Sequence, residues 1–466
     1  MSDFNDFVKQ LNAVIQPLAT PLAAPLATPL AAPLATPLAT PMAPSPAEPI
    51  VHQATEQKKQ LKILIVSTHI NQVNGYSKVA YNIIQQLSKQ PWLKIVHYGT
   101  QRIVNAELDR KYPTDVKVID ATALETQKTT GFAFAELSGV INTEKPDVVF
   151  LYNDISVICA YIEEIRKSIQ NRFFKIWAYI DTCYSPQPQN MLDVVNRDVE
   201  RIFCFTEAAK TALKTQGVTR PVSVMNHGID FKRIRAIPKE LARQTLGLPK
   251  DVFLFTSLNK NIPRKRLDLL VVAFTKLIVR FPMKPIFLLI VADKGDRGGY
   301  QLFDIYAREI KLNNASVDQF GNRLLITSSD TCYKDDDVNV LYNCGDVGVS
   351  CAEAEGFGLC TFEQMALGIP QIVPDISGYQ EYCTSKNSLM VKPKMRYYVP
   401  QSYNVVTGEA YMVDPDDVSK AMERYVFDDD LRKLHAKLGK EAVSGYSWEK
   451  GCATLVKRIQ ALEDDD

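Results

Sequence analysis

Residues 350–374 read SCAEAEGFGLCTFEQMALGIPQIVP and set two of their carboxylates, Glu355 and Glu363, on either side of a Gly-Phe-Gly turn with seven residues between them. Gly356 and Gly358 flank Phe357 in a turn that Leu359 follows into an apolar helix. The first N–H groups of such a helix have no partner within it, so its N-terminus favours an anionic group such as a diphosphate. Glycine on both sides of Phe357 lets a ligand approach the backbone with no Cβ in the way. Glu363, about one turn in, can accept hydrogen bonds from a ribose diol, as acidic residues do in dinucleotide sites. Glu355, ahead of the helix, can meet a sugar hydroxyl. A second constellation, SLNKNIPRKRLDLLVVAF at 257–274, delivers Lys260, Arg264, Lys265 and Arg266 between a strand and a helix. Cations there suit a diphosphate, although Arg264 and Arg266 read equally well as a solvated face. With 53 acidic residues in 466, a Glu pair at this spacing is common. The glycine turn and the cations together make it point to a nucleoside diphosphate sugar.

The elements that must position these groups alternate. LKILIVSTHI at 61–70 is a β-rich apolar run, followed by a loop with Gly75 and Tyr76 and a helix with Val79, Ile83, Ile84 and Leu87 on one face. Further strands are expected at 95–98, 116–119, 148–152, 175–180 and 201–205, and in a second cycle at 252–258, 286–292, 324–327, 347–350 and 371–373. Strands alternating with helices predict doubly wound parallel sheets, here two Rossmann-like domains facing a cleft. The division expected is a short docking helix at 1–16, a PLAT/PLAA repeat linker at 17–59, an acceptor domain at 60–235, a donor domain at 236–430 and helices crossing back at 431–466. Proline at every fourth position makes the linker an extended, disordered spacer. Residues 394–412 lack periodicity and read as an inserted loop or hairpin, 418–462 as wholly helical, and Asp335, Asp336 and Asp337 as a solvated loop ahead of a helix.

The strings EGFGL and FEQMALGIPQIV resemble the signature of family 4 retaining glycosyltransferases, which have the GT-B fold and group with the glycosyl transferases group 1. The resemblance runs from about Leu61 to the end. It implies transfer of a sugar from a UDP- or GDP-sugar to an acceptor hydroxyl with retention, by an enzyme that is a hexosyltransferase. The family's two diphosphate cations fall on Lys260, where an Arg is usual, and on Lys265. Gly75 matches the loop that approaches donor phosphate and acceptor. Asn226-His227-Gly228-Ile229-Asp230 matches a segment near the domain junction, where His227 reads as a structural residue or a ligand contact. Tyr446-Ser447-Trp448 matches the terminal crossing, with Trp448 as packing. Many members carry a His in the first domain that touches the donor sugar; here WAYIDTCYSPQP has none, and Asp181 is the nearest polar substitute. The resemblance further implies that the departing phosphate oxygen takes the acceptor's proton.

A net charge of +1 gives no global case for nucleic acid or an acidic surface. Nine cysteines without a C-x-x-C pair suggest a reduced, cytoplasmic setting, with peripheral membrane contact left open. Five histidines, none clustered with cysteine, make structural zinc an unfavoured reading, and no metal or other cofactor is expected for the chemistry. The longest apolar run, 286–292, is too short to span a bilayer. Expected partners are the nucleotide sugar, a glycan, lipid-linked or protein acceptor, and a protein partner for the N-terminal extension. Two other functions fit the same plan: a sugar-nucleotide epimerase, and a degenerate protein that only binds a nucleotide or glycan.

Overall fold

The computed structural model describes residues 60–104, 108–126, 130–292, 299–327, 333–400 and 407–462. The docking helix and repeat linker read for 1–59 lie outside them. Seven parallel strands form the first sheet: β1 (Leu61–Thr68), β2 (Leu93–Thr100), β3 (Lys117–Asp120), β4 (Val148–Asp154), β5 (Lys175–Asp181), β6 (Arg201–Cys204) and β7 (Val222–Val224), in the order β3-β2-β1-β4-β5-β6-β7. Six more form the second: β8 (Phe253–Leu258), β9 (Ile286–Val291), β10 (Leu324–Ile326), β11 (Val347–Val349), β12 (Gln371–Pro374) and β13 (Leu389–Val391), in the order β10-β9-β8-β11-β12-β13. β14 (Met395–Val399) and β15 (Gly408–Met412) pair antiparallel as a hairpin, one of the two forms expected for that stretch.

Helices cover the sheets. α1 (Gly75–Leu87) starts at Asn74, whose side chain accepts from Ser77 N, and buries Val79, Ala80, Ile83, Ile84 and Leu87 on the face the periodicity marked. α2 (Glu207–Thr215) is capped by Thr206. α3 (Leu267–Arg280) follows the cationic turn, α4 (Asp335–Asn343) precedes β11, α5 (Leu359–Ala366) carries Glu363, and α6 (Trp448–Gln460) ends the described chain. The 418–462 stretch is less uniform than expected, because Asp428 ends one helix and caps the next and residues 444–447 break the second from α6. The edge strands β7 and β13 were not expected. Each is a three-residue strand at a sheet edge, only partly buried where the equally short β10 and β11 are fully buried, and each exists through its pairing with β6 or β12.

Both sheets reverse strand order beside their first strand, between β1 and β4 and between β8 and β11. Loops leaving the carboxyl ends there diverge to opposite faces and leave a crevice, the usual ligand position in open α/β sheets. The loop after β1 leads into Gly75 and Tyr76, which open α1 rather than lying in the loop expected for them, the one after β8 carries Lys260 to Lys265, and the one after β11 carries Glu353 to Gly358. The final crossing brings the two halves together. Ile229 N donates to Tyr446 O (2.9 Å), and buried Trp448 packs in the core shared by both halves. A Cβ on Gly228 would lie 2.1 Å from Trp448 N and 2.4 Å from Ser447 C, both backbone atoms. Gly228→Ala must therefore push the crossing away, at a cost of about 3 kcal/mol, and a clear fall in thermal midpoint is expected. A midpoint equal to that of the unaltered protein would show that the crossing yields freely.

Candidate functional site

Glu355 is buried and sits where the two crevices meet. Lys265 Nζ lies 2.5 Å and Arg264 Nη1 3.2 Å from its Oε2. Arg264 also donates to Ala354 O (2.7 Å), while Glu353 N donates back to Arg264 O (3.0 Å), so the cationic turn and the glutamate loop are laced together. The lacing needs a tight turn after β8. Residues Pro263–Lys265 form a single 3-10 turn, and Arg266 enters α3 in the left-handed region at φ 48°. Burial by itself would raise the Glu355 carboxyl, but Lys265 and Arg264 together hold it below its ordinary value.

The first domain contributes a carboxyl pair. Tyr76 Oη is 2.8 Å from Asp154 Oδ1, at the end of β4, and 2.8 Å from Asp181 Oδ2, at the end of β5. A phenol has one proton to donate, so both contacts are good hydrogen bonds only when one carboxyl is itself protonated and donates to the tyrosine oxygen. Burial, and then the charge of Asp181, push Asp154 up to about 7. Burial also raises Asp181, against the pull of Arg264. Asp181 reaches across to the glycine turn: a Cβ on Gly356 would fall 2.1 Å from its Oδ1, so this approach requires glycine.

Glu363 is buried in an ion pair between the domains. Lys78 Nζ of α1 contacts both its oxygens (2.9 and 2.8 Å), and Tyr342 Oη donates to Oε2 (2.8 Å). A ribose diol at Glu363 would have to share it with Lys78. Gly358, at φ 84°, begins α5, and Tyr382 Oη lies within hydrogen-bond distance of the carbonyls of Phe357 and Gly358 (2.8 and 2.9 Å). Leu359 packs 3.2 Å from where a Cβ on Gly75 would stand.

The structure also places Lys260, His227 and Asp335. Lys260, expected beside the diphosphate, is exposed after β8 and makes no ion pair among the described residues, whereas Arg264 and Lys265 turn inward to Glu355. His227, read as either a structural residue or a ligand contact, is enclosed by Phe205, Phe357 and Trp448 at ring separations of 4.4, 4.6 and 5.7 Å. Burial lowers its pKa to about 3 and neither ring nitrogen has a hydrogen-bond partner among the described residues, so it packs as a neutral ring. Asp335 belongs to no solvated loop: it opens α4 and is buried against Arg110 (2.7 Å) and Arg233 (3.1 Å), whereas Asp336 and Asp337 are exposed. Sequence reasoning also missed Asp154, Lys78 and Glu353. For Asp154 a signal existed, an acidic residue ending a strand at the switch point; for Lys78 and Glu353 local sequence carries none. Among the described residues no His, Cys, Asp or Glu group could hold a metal ion.

Comparison with known proteins agrees with this fold. Residues 249–397 match the family model for glycosyl transferases group 1. A 160-residue segment is 29% identical to D-inositol 3-phosphate glycosyltransferase 2 of Catenulispora acidiphila, covering 34% of this chain and 35% of that protein. The chain thus spans about a third of that relative's length. Among solved structures, sucrose-phosphate synthase from Thermosynechococcus elongatus superposes with a TM-score of 0.68 at 15% identity, over 87% of this chain and 100% of that one. Anabaena Alr3699/HepE, in complex with UDP and glucose, gives 0.65 at 14% identity, over 86% and 100%. The fold is GT-B, and its second domain carries the group 1 signature. In this GT-B chain the charged groups of both switch points meet in the interdomain cleft.

The carboxyl pair of that cleft makes stability depend on pH. A carboxyl whose pKa is higher folded than unfolded costs nothing below the unfolded value and destabilises as pH rises through the folded one. Asp154, moved from 3.8 to about 7, should therefore remove stability progressively between about pH 4 and 7. Asp154→Asn, which cannot ionise, should flatten that decline by a few kcal/mol in unfolding free energies measured from pH 4.5 to 8. An unchanged slope would mean that the pair titrates normally.

Proposed function

We propose that the protein moves a sugar from a nucleoside diphosphate sugar to an acceptor hydroxyl with retention of configuration. The observation that carries this reading is the meeting of Lys265, Arg264 and Glu355 beside the glycine turn that begins α5, opposite Asp181 of the other domain. The group 1 match over 249–397 and the complex of HepE with UDP and glucose support it. Here the two cations neutralise Glu355; a diphosphate at the α5 N-terminus would share them and leave Glu355 facing the sugar. As the anomeric carbon–oxygen bond breaks, negative charge gathers on the departing diphosphate and positive charge on the sugar ring. Lys265, Arg264 and the free N–H groups of α5 stabilise the first, and Glu355 the second. The departing phosphate oxygen takes the acceptor's proton, so no carboxylate need act as nucleophile and the scheme routes no step through a metal. Gly75 and Tyr76 face the donor from the first domain, and Glu363 takes the ribose by exchanging Lys78.

The eight described cysteines are all unpaired, which supports a reducing, cytoplasmic setting. No helix among the described residues is long and apolar enough to cross a membrane.

Lys265→Ala removes a contact that strengthens as the leaving group gains charge and should lower turnover about a hundredfold, a loss of about 3 kcal/mol. Donor consumption in the presence of an acceptor panel measures it, and near-normal turnover in a folded variant would sink the assignment. Glu355→Gln should lower turnover while keeping affinity for free nucleoside diphosphate, whereas Glu363→Gln should weaken that affinity. Calorimetric titration of UDP and GDP into both variants distinguishes the two roles, which the reverse pattern would refute.

A further inference from the structure

The β14–β15 hairpin is fastened to both domains. Glu409 N donates to Ser185 O of the first domain (2.9 Å), and Tyr411 N donates to Glu353 O of the second (2.8 Å). Gly408 makes the crossing possible, since at φ +145° a Cβ there would lie 2.8 Å from Tyr184 Cβ. The carboxylate of Glu353 anchors the strap, accepting from Tyr184 Oη (3.2 Å) and Tyr397 Oη.

Between the strap, α2 and the short helix Ser377–Gln380 lies a cavity of about 370 Å³ that reaches Gly356, the turn residue next to Glu355. It exists because α2 presents Ala208, Ala209 and Ala212, where longer side chains would fill the space. Around this small apolar floor stand the hydroxyls of Thr182, Ser185, Ser377 and Tyr411 and the carboxylates of Asp375 and Glu409. No lysine, arginine or histidine lines it among the described residues. A hydrogen bond from Tyr411 holds the Glu409 carboxyl below its ordinary value, so the wall stays anionic at neutral pH.

We propose that this strapped cavity is the acceptor subsite, and that it takes a neutral polyhydroxylated ring, a sugar or cyclitol, and rejects its phosphorylated form. The inference rests on the transferase reading for the word acceptor; the binding itself does not. Its volume is at the low end of the ~300–1,000 Å³ of small-molecule sites, which fits one or two rings. An alanine floor offers contact to the C–H face of a ring, and hydroxyls and carboxylates around it pair with ring hydroxyls. Arg396 pairs with Glu409 Oε1 (3.5 Å) but does not line the cavity, so inside it two carboxylates with no lining cation repel a phosphate group.

The test is saturation-transfer NMR on the full chain with methyl glucoside, methyl galactoside, methyl mannoside and myo-inositol, each against its monophosphate. At least one neutral compound should bind, with its phosphate weaker by roughly tenfold or more. Ala212→Phe should abolish neutral-ligand binding while leaving UDP and GDP titrations and the thermal midpoint unchanged. Asp375→Lys, at an exposed position, should raise affinity for the phosphate by about fivefold or more and so guards against a filling variant that fails to fold. Binding of no neutral compound, a preference for the phosphates, or binding that survives Ala212→Phe each overturns the proposal. A chain that binds neutral sugar here but no nucleotide would refute the donor reading and leave this one standing.

Discussion

The arrangement of the cleft depends on one electrostatic constraint: Glu355 is buried and ionised, and a buried carboxylate without partners costs several kcal/mol. Lys265 and Arg264 meet that demand, and much of the local structure follows from placing them. The chain must leave β8 through a tight 3-10 turn, pass Arg266 through the left-handed region, and bond its backbone to the glutamate loop. Such pairs are not strong evidence of stability in themselves. Removing one partner is costly because it strands the other, and this makes the two loops a single unit.

The same constraint recurs across the domain interface. Lys78 meets Glu363, and Arg110 and Arg233 converge on Asp335. The faces that close on each other therefore carry charges whose partners sit on the opposite domain, so separating the domains exposes both members of each pair to water together. An anion arriving in the cleft competes for the same cations. Domain closure and ligand charge are in this way linked through shared partners, and the positive groups are already oriented before charge develops on a leaving group. The carboxyl pair around Tyr76 adds a proton held in place by hydrogen-bond geometry.

Much of the architecture was legible in the chain. Alternating apolar strands and amphipathic helices announced two parallel sheets, because the periods of strand and helix are local properties set by a few successive residues. Where a short element lies partly buried at a sheet edge, as with Val222–Val224 and Leu389–Val391, only pairing with a neighbour defines it. The Asp335 cluster shows the opposite failure: its acidic triplet looks like surface, and only Arg110 and Arg233, 225 and 102 residues away, explain the burial of Asp335.

The chain by itself determined the fold class, the glycine turn ahead of α5 and the presence of cations after β8, since each depends on residue type at short spacing. Tertiary structure decided which of those cations turns inward, why Gly356 must lack a side chain, and that His227 is packing. It also decided the partners of Glu363 and Asp181, which come from residues 285 and 105 positions away. Ion pairs and close approaches between distant segments are set by how two domains meet, and the interface brings together residues whose sequence neighbours carry no trace of the contact.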